Sequence, residues 1–472
     1  MNTAIEQTLN LLRDSTRNPP YEGTLYLVGG FLRDRLLGLP LSNDLDLVLE
    51  EDAPSLARFL HRQGVAAHYP VIYERFGTAM LHLSLPDGSE SQVEFVTARK
   101  ESYAPDSRKP EVQRGTLTED VFRRDFTLNT LLENLHTGEQ LDLTGKGFED
   151  LRAGIIRTPL SPAETFFDDP LRMLRAIRFA AKFGFTIAPE TWTGIQEEAK
   201  RLQPPAISAE RIRDEFVKII TLPGKKARRG MELLLESGLL AQFLPEMLPM
   251  VGCEQGGWHP LDVWDHSLLA LEASPDSSLL EGQAEVRLAV LWHDIAKPAT
   301  REFRDGHTRF PEHALIGTAM VRTMMNRLKF SNEEIHDVTF LVERHMRIGE
   351  YRPDWSDGAV KRLLREVGTL WGDLVTVTRC DQSALNLPAE NAAKLPTLLA
   401  RVAEISAESD VLQIVSPLDG RDIMALLGVP PGSLLKRAKD FLTNEVLEGR
   451  LAEGDREKAS ILLREWFQEG AN

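Results

Sequence analysis

The feature that most limits what this chain can fold into is a change of hydrophobic period near residue 160. Before it, short apolar runs separated by turn signals ("TLYLVGG", "DLDLVLE", "TAMLHLSLPDGSE", "QVEFVTA") read as strands of a small mixed α/β domain. After it, helical spacing takes over in "DDPLRMLRAIRFAAKFGF", "SAERIRDEFVKIIT" and "ARRGMELLLESGLL". A Gly- and Pro-rich loop, "VGCEQGGWHPLDVW", then precedes another helical stretch, 261 to 400. The expectation is an α+β chain, a small mixed head followed by a long all-α body. Its 472 residues exceed what one hydrophobic core organises, so two to four domains are expected.

Bulk composition excludes little. Two cysteines, Cys253 and Cys380, lie far apart and form no CxxC pair, which argues against a disulfide framework or a zinc–thiolate site. The first twenty residues lack a basic region followed by an apolar core, and no run reaches the roughly 18 apolar residues of a membrane span. A soluble cytoplasmic protein is expected. The net charge of −16 would speak against a nucleic-acid partner if the basic residues were spread evenly. They are not: Arg99, Lys100, Arg108, Lys109, Arg114, Arg123 and Arg124 form one cluster, and Lys225, Lys226, Arg228 and Arg229 another.

"LYLVGGFLRDRLLGLPLSNDLDLVLE", residues 25 to 50, carries the first chemistry. Residues two apart on a strand share a face, so Asp44 and Asp46 aim together. Crowded carboxylates repel, and Mg²⁺, which binds through one or two carboxylates plus substrate phosphates, relieves that. Upstream, a strand ends in Gly29-Gly30 and a helix follows, with Arg33 and Asp34 in its first turn. Bare amides at a helix start offer a place for a phosphate. Either element alone is equally compatible with solvated carboxylates and an ordinary turn; together they describe a pocket for a metal–triphosphate.

These residues resemble motif A of the class II tRNA nucleotidyltransferases, the CCA-adding enzymes, and of their poly(A) polymerase relatives. "RRDFTLNTLL" resembles motif B, "LDLTGKGFEDL" motif C, "DDPLRMLRAIRFAAKFGF" motif D and "SAERIRDEF" motif E, in the family's order. The resemblance implies a DNA polymerase beta-like head, catalytic metals on Asp44 and Asp46, and selection of CTP and ATP by motif D.

Motif D has its own logic. Asp169 stands at a helix start, and Arg172, Arg175 and Arg178 follow at i+3 steps along one side. A carboxylate only accepts hydrogen bonds and a guanidinium only donates them. Cytosine and adenine each place an exocyclic amine beside an unprotonated ring nitrogen, which Asp169 and Arg172 match; uracil and guanine invert both groups. An amphipathic helix with a solvated basic stripe would also suit the pattern. The family's Glu-Asp pair is Asp168-Asp169 here, so the first acid is shorter. In motif B, Arg123 and Arg124 suit a triphosphate and Asp125 a ribose hydroxyl; a structural ion pair is the other reading. Glu94 is either a third metal carboxylate or solvent-facing, and it is left outside the metal set.

Residues 100 to 122, "KESYAPDSRKPEVQRGTLTEDVF", read as a mobile loop with a basic tip. In the family a full-length loop here goes with adding the terminal A, which favours CCA or A addition over CC addition alone. Poly(A) polymerase relatives carry a "GRRF"-like signature after motif A, where this chain has only Arg75 in "YERFGTAMLHL".

A second set of residues, His266, adjacent His293-Asp294, His313, His345 and Asp381, resembles the HD superfamily of metal-dependent phosphohydrolases. Imidazole with carboxylate suits Mn, Ni, Fe or Zn more than Mg alone. His266, His293, Asp294 and Asp381 would make the first metal site, extended by His313 and His345, with phosphodiesters or 2′-phosphates as the implied substrates. The expected domains are a head, 1–155; a nucleotide-selecting and RNA-binding neck and body, 156–250; an HD domain, 251–400; and a helical tail, 401–472. The expected partners are tRNA, ATP and CTP. Three readings stay open at this point: a tRNA nucleotidyltransferase, a phosphohydrolase with an inactive head, and a non-catalytic RNA-binding module.

Overall fold

The computed structural model describes residues 3–41, 43–102, 111–275, 283–408 and 410–469. Its chain divides into two compact units, Met1–Leu248 and Pro249–Asn472.

The first unit opens with α1 (Thr3–Ser15), β1 (Tyr26–Val28), α2 (Gly30–Leu36), β2 (Leu45–Leu49) and α3 (Ala53–Arg62). Next come β3 (Val71–Tyr73), β4 (Thr78–Ser84) and β5 (Glu90–Thr97). The hairpin β6 (Arg99–Ser102) and β7 (Glu111–Arg114) leads to α4 (Leu117–Phe122), β8 (Leu132–Asn134), β9 (Gln140–Leu141) and α5 (Gly147–Ala153). Seven strands form one sheet in the order β3-β4-β5-β2-β1-β8-β9. It is mixed: β2 runs parallel to β5 and antiparallel to β1. Alternation explains the burial, since Leu45, Leu47 and Leu49 of β2 pack with Ile5, Leu9 and Leu12 of α1 and Leu56 and Leu60 of α3. Removing such leucines would cost about 2–5 kcal/mol each.

From residue 160 the unit is nearly all helix: α6 (Pro162–Asp168), α7 (Leu171–Phe183), α8 (Pro189–Glu198), α9 (Ala209–Ile220) and α10 (Lys225–Glu236). Ser208 caps α9, its hydroxyl accepting from the Arg211 amide. Gly184, at φ 72°, ends α7 in the left-handed conformation that favours glycine. α7 packs against α9 and α10, and Met173 and Ile177 of α7, Phe216 of α9 and Met231 of α10 are all buried.

Two local expectations are corrected. The stretch 100–122 is not one loop: its described ends pair as β6 and β7 and continue into α4, because Thr116 and Glu119 form a capping box; residues 103–110 lie outside the described residues. In the second unit, the separator "VGCEQGGWHPLDVW" contains a hairpin, Glu254–Gly256 with His259–Asp262, whose turn uses Gly256 and Gly257 at positive φ. A second hairpin pairs Glu302–Arg304 with His307–Arg309, the rest of that unit's regular structure is helical, and no helix among the described residues is long and apolar enough to cross a membrane.

Candidate functional site

In the first unit, Asp46 stands directly opposite Glu94 in the parallel β2–β5 register, so both carboxylates share one face. Asp44 precedes the strand by one residue and is exposed, while Asp46 is half-buried between Leu45 and Leu47. Burial, with Glu94 and Asp44 close by, pushes the Asp46 carboxyl up to about 6 against the pull of Arg124. Such a shift marks a carboxylate short of positive charge.

β1 delivers Gly29 to the same place. At φ 78° and ψ −140° its backbone suits glycine alone. A Cβ there would sit 3.5 Å from Asp46 Oδ2 and 3.8 Å from Arg124 Nη1, so the bare backbone borders the carboxylate. Gly30 is less constrained, with only Arg33 Nη2 at 3.5 Å.

The two arginines after α4 are held by a residue that the sequence reading missed. Asp120, fully buried, accepts from Arg123 Nε and Nη2 at 3.0 and 2.6 Å through one oxygen. Its other oxygen accepts from Arg124 Nε and Nη2 at 3.1 and 2.8 Å. Burial opposes its charge, yet Arg124 and Arg123 hold the carboxyl below its usual value. Its spacing of three and four residues from the two arginines on a helix was the available signal.

Asp125 is also buried. Its Oδ1 accepts from the Phe126 amide and from Asn129 Nδ2, and its Oδ2 from Arg175 Nε and Nη2 at 2.9 and 2.7 Å. Despite burial, Arg175 and Asn129 keep this carboxyl below the ordinary range. Arg33, expected at the phosphate, turns into the fold instead. It donates to Asp34 and to Asn129 Oδ1, each at 2.7 Å, and lies over Phe179 and Phe183. Burial lowers its pKa, the mark of an arginine used inside the fold.

The motif D arginines do not form one stripe; they fan out. Arg172, almost buried, donates to the carbonyls of Arg123 at 2.6 Å and Thr165 at 3.3 Å. Arg175 goes to Asp125, and Arg178 to Glu215 at 2.7 Å. Asp169 sits in the extended break between α6 and α7. Its Oδ1 accepts from the Leu171 amide at 3.1 Å, and its Oδ2 from Arg211 of α9 at 2.7 Å. Arg211 and Glu215, one turn apart, thus brace α7 near both ends. Neither was singled out from sequence, because their partners lie 42 and 37 residues away.

The second unit gathers all six of the residues read as metal ligands. His266 (helix Val263–Glu272), His293 and Asp294 (after helix Gln283–Trp292), His313 (helix His313–Arg327), His345 (after helix Asn332–Arg344) and Asp381 (helix Trp371–Ser383) converge. His266 Nε2 lies 3.0 Å from Asp381 Oδ1, 3.2 Å from His293 Nε2 and 3.6 Å from Asp294 Oδ2. Asp294 Oδ1 faces His313 Nε2 at 3.4 Å and His345 Nε2 at 3.8 Å. Two ligand triads result, sharing Asp294. His293, His313 and His345 each place Nδ1 2.7–2.8 Å from the carbonyl three residues back (Val290, Phe310, Val342), which turns Nε2 inward, the arrangement a metal-ligating imidazole needs.

Electrostatically the cluster is tense. Burial opposes charge on His293, but Asp294 and Asp381 push it up to about 10, while burial and His293 push His345 down to about 4. Asp294 and Asp381 are both held well below the usual carboxylate range. Asp294 Oδ1 and His313 Nε2 are buried without a hydrogen-bond partner among the described residues, so the donor set fits a cation. Lys297, overlooked in the sequence, reaches Asp294 Oδ2 and Gln255 Oε1, each at 2.6 Å. A cavity of about 550 Å³ opens beside the cluster, with Trp258, Lys394 and Gln382 on its wall.

A mixed sheet bearing neighbouring carboxylates beside a glycine turn, joined to an arginine-rich helical body, is the architecture of a nucleotidyltransferase of the poly(A) polymerase type. The family description "Poly A polymerase head domain" matches residues 25–157, and "Probable RNA and SrmB-binding site of polymerase A" matches 184–250. The chain is 35% identical over 362 residues to the CC-adding tRNA nucleotidyltransferase of Thermus thermophilus, covering 75% of this chain and 78% of that protein. It is 29% identical over 462 residues to the A-adding tRNA nucleotidyltransferase of Deinococcus radiodurans, covering 96% and 97%. The crystal structure of the Bacillus stearothermophilus CCA-adding enzyme in complex with CTP shares the fold, with TM-score 0.68 at 22% identity over 100% of this chain and 99% of that one. This chain belongs to the class II tRNA nucleotidyltransferases, a family of enzymes.

Proposed function

We propose that the protein adds CCA, or its terminal A, to the 3′ end of tRNA from CTP and ATP without a nucleic-acid template, releasing pyrophosphate. The observation that carries this reading is the juxtaposition around Gly29: Asp46 and Glu94 share a face, Arg124 stands beside them, and Arg172 binds the carbonyl of Arg123, next in the chain. This neighbourhood supports reading Arg172 as a base-selecting group close to the carboxylates. Names such as CC-adding and A-adding, both borne by relatives, support the reaction class and leave the order of addition to experiment.

In this reading Asp44 and Asp46, with Glu94 beside them, hold Mg²⁺, and the raised Asp46 carboxyl fits a cation site. When bound, the metal lowers the barrier to attack by the tRNA 3′-hydroxyl on the α-phosphate and neutralises the departing pyrophosphate. Gly29 keeps side-chain atoms away from the phosphates, and Gly30 adds a bare amide. Arg123 and Arg124, oriented by Asp120, present donors to the triphosphate. Asp125 retains lone pairs for a ribose hydroxyl. Asp169 accepts the exocyclic amine of C or A while Arg172 donates to the ring nitrogen; Arg175 and Arg178 hold α7 in place for them. Arg33 supports the site from below rather than touching the nucleotide.

The convergence of six ligands favours a second activity in the same chain: phosphoester hydrolysis at His266, His293, Asp294, His313, His345 and Asp381, with Mn, Ni or Mg as metal. The division into a head to 155, a neck and body to 250, an HD domain to 400 and a tail is part of this proposal, as is a cytoplasmic location.

The test uses three labelled tRNAs ending at the discriminator base, at C and at CC. Each is incubated with Mg²⁺ and CTP, ATP or both, and resolved on a single-nucleotide gel. Extension of all three to CCA is the expected result. Addition of one A to the CC-ended tRNA alone assigns a split pathway. Extension that stops at CC, long A tails, or no incorporation overturns the proposal.

A further inference from the structure

Phe179 and Phe183, one turn apart on α7, stack with centroids 5.7 Å apart at 16°. Four cations gather on these two rings. Arg33 lies 5.2 and 4.9 Å from the two centroids, Arg175 and Arg178 lie 5.2 and 4.5 Å from Phe179, and Lys182 Nζ lies 5.2 Å from Phe183. Like charges brought so close repel unless each is answered. The three arginines are answered by Asp34, Asp125 and Glu215. Lys182 is not: among the described residues its half-buried ammonium has no hydrogen-bond or ion-pair acceptor. Burial lowers its pKa; Asp34, already paired with Arg33, opposes that shift, and Arg33, Arg178 and Lys226 of α10 add to it. Lys226 is exposed and likewise lacks an acceptor among the described residues.

The missing partner is an anion from outside the fold. Ten residues of α7 separate Lys182 from the base-reading Arg172, about 15 Å at 1.5 Å per residue. That distance puts the lysine in the last turn of the helix that carries Arg172, two residues before the segment 184–250 matched to an RNA-binding description, which contains Lys226.

The geometry points to Lys182 and Lys226 as a phosphate-binding notch for the backbone of the tRNA substrate. This rests on the proposed action on tRNA and assigns one contact within it. Two lysines reading phosphates carry no sequence information, so they would hold any tRNA in register while Asp169 and Arg172 choose the nucleotide. The aromatic pair gives Lys182 a stiff platform, and because each arginine is paired with a carboxylate, the two lysines supply the net positive charge of the notch.

The full-length protein is tested with a fluorescent tRNA transcript lacking CCA, by anisotropy at several NaCl concentrations and without nucleotide. Lys182→Met keeps the apolar stem on Phe183, and Lys226→Ala lies at the surface, so at least one variant is free of folding defects. Each change should weaken tRNA binding about 3- to 10-fold and reduce the slope of log Kd against log salt by roughly 0.7 to 0.9, one phosphate contact. Lys182→Arg should restore both. A second arm measures the KM for CTP at saturating tRNA. Unchanged tRNA affinity and slope in both lysine variants overturns the assignment. A raised KM for CTP with tRNA affinity intact also overturns it, by assigning the notch to the nucleotide triphosphate. Failure of the parent protein to bind tRNA would instead remove the functional reading beneath it.

Discussion

The two carboxylate-bearing centres of this protein are built in opposite ways. In the first unit the acidic groups sit at a sheet surface, Asp44 and Glu94 exposed and Asp46 half-buried, and the nearby arginines are tied to other residues. In the second unit four histidines and two aspartates lie among helices, each with a ring nitrogen or carboxylate oxygen 3.0 to 3.8 Å from that of another. Among the described residues, the close-packed ligand groups are both in the second unit. An open carboxylate face suits a metal that arrives with its substrate and keeps several other ligands, as Mg²⁺ does. A closed cage of imidazoles suits a metal that stays. Transfer of a nucleotide needs the former; a resident hydrolytic centre can use the latter.

The sharpest way to break this contrast is Asp46→Asn. Nucleotide addition to tRNA should fall by about three orders of magnitude, the several kcal/mol supplied by metal charge stabilisation. Metal bound at the second unit, measured by atomic emission, should not change. Substantial residual extension on the gel would remove Asp46 from its role.

Asp120→Asn tests whether the arginines of the first unit depend on a buried anchor. Leaving two guanidinium groups without their carboxylate should cost about 3–5 kcal/mol in urea unfolding. The pH dependence follows from the sign of the shift. Asp120 titrates below its unfolded value, so its contribution is present above about pH 4 and is lost as pH falls through the lower native value. The variant should therefore lose part of the parent's acid-limb steepness; equal slopes would show that Asp120 is not the anchor.

Asp294→Asn addresses the other centre. Since Asp294 is shared by both triads, the stoichiometry of bound Mn²⁺ or Ni²⁺ should drop towards zero, with affinity weakened beyond the roughly 10–100-fold of outer-shell changes. Retention of full metal content would remove Asp294 from the ligand set.

The smallest effect is expected from Arg211→Ala. Its half-exposed ion pair with Asp169 contributes less than about 1 kcal/mol to stability, so unfolding should be unchanged. Discrimination of CTP and ATP against UTP and GTP should fall about tenfold, because Asp169 loses one of the two contacts that orient it. Single-nucleotide misincorporation assays read this directly, and Arg211→Lys should recover part of it. An unaltered selectivity ratio would return Arg211 to a purely structural role.

Legibility followed the range of the interactions. The strand–glycine–helix step at 25–36 and the alternation of "DLDLVL" are local, and β1, α2 and β2 form where the pattern places them. The helical spacing of "RMLRAIRFA" is local too, whereas the Thr116–Glu119 capping box, though local, lies unread in a stretch whose composition suggests a loop. By contrast, Asp120, which anchors Arg123 and Arg124, lies in the stretch 100–122, whose composition reads as a mobile loop. The fan of Arg172, Arg175 and Arg178 looked like a stripe, since spacing alone cannot say that each guanidinium meets a different element. The hairpin at Glu254–Gly256 and His259–Asp262 was hidden in a glycine-rich run that composition could read only as loop.

By itself the amino-acid order determined the head-then-helices layout and the carboxylate pair, because these depend on periodicity and residue type within short windows; the set of four histidines and two aspartates between 266 and 381 came from a family resemblance and not from spacing. The tertiary structure alone decided that Glu94 stands opposite Asp46, that Arg33 is spent inside the fold, that Arg211 meets Asp169, and that Lys182 has no hydrogen-bond or ion-pair acceptor among the described residues. Each of these depends on which distant backbone segment arrives at a side chain and at what angle, and hydrogen bonds and ion pairs lose their strength within an ångström or so of misplacement.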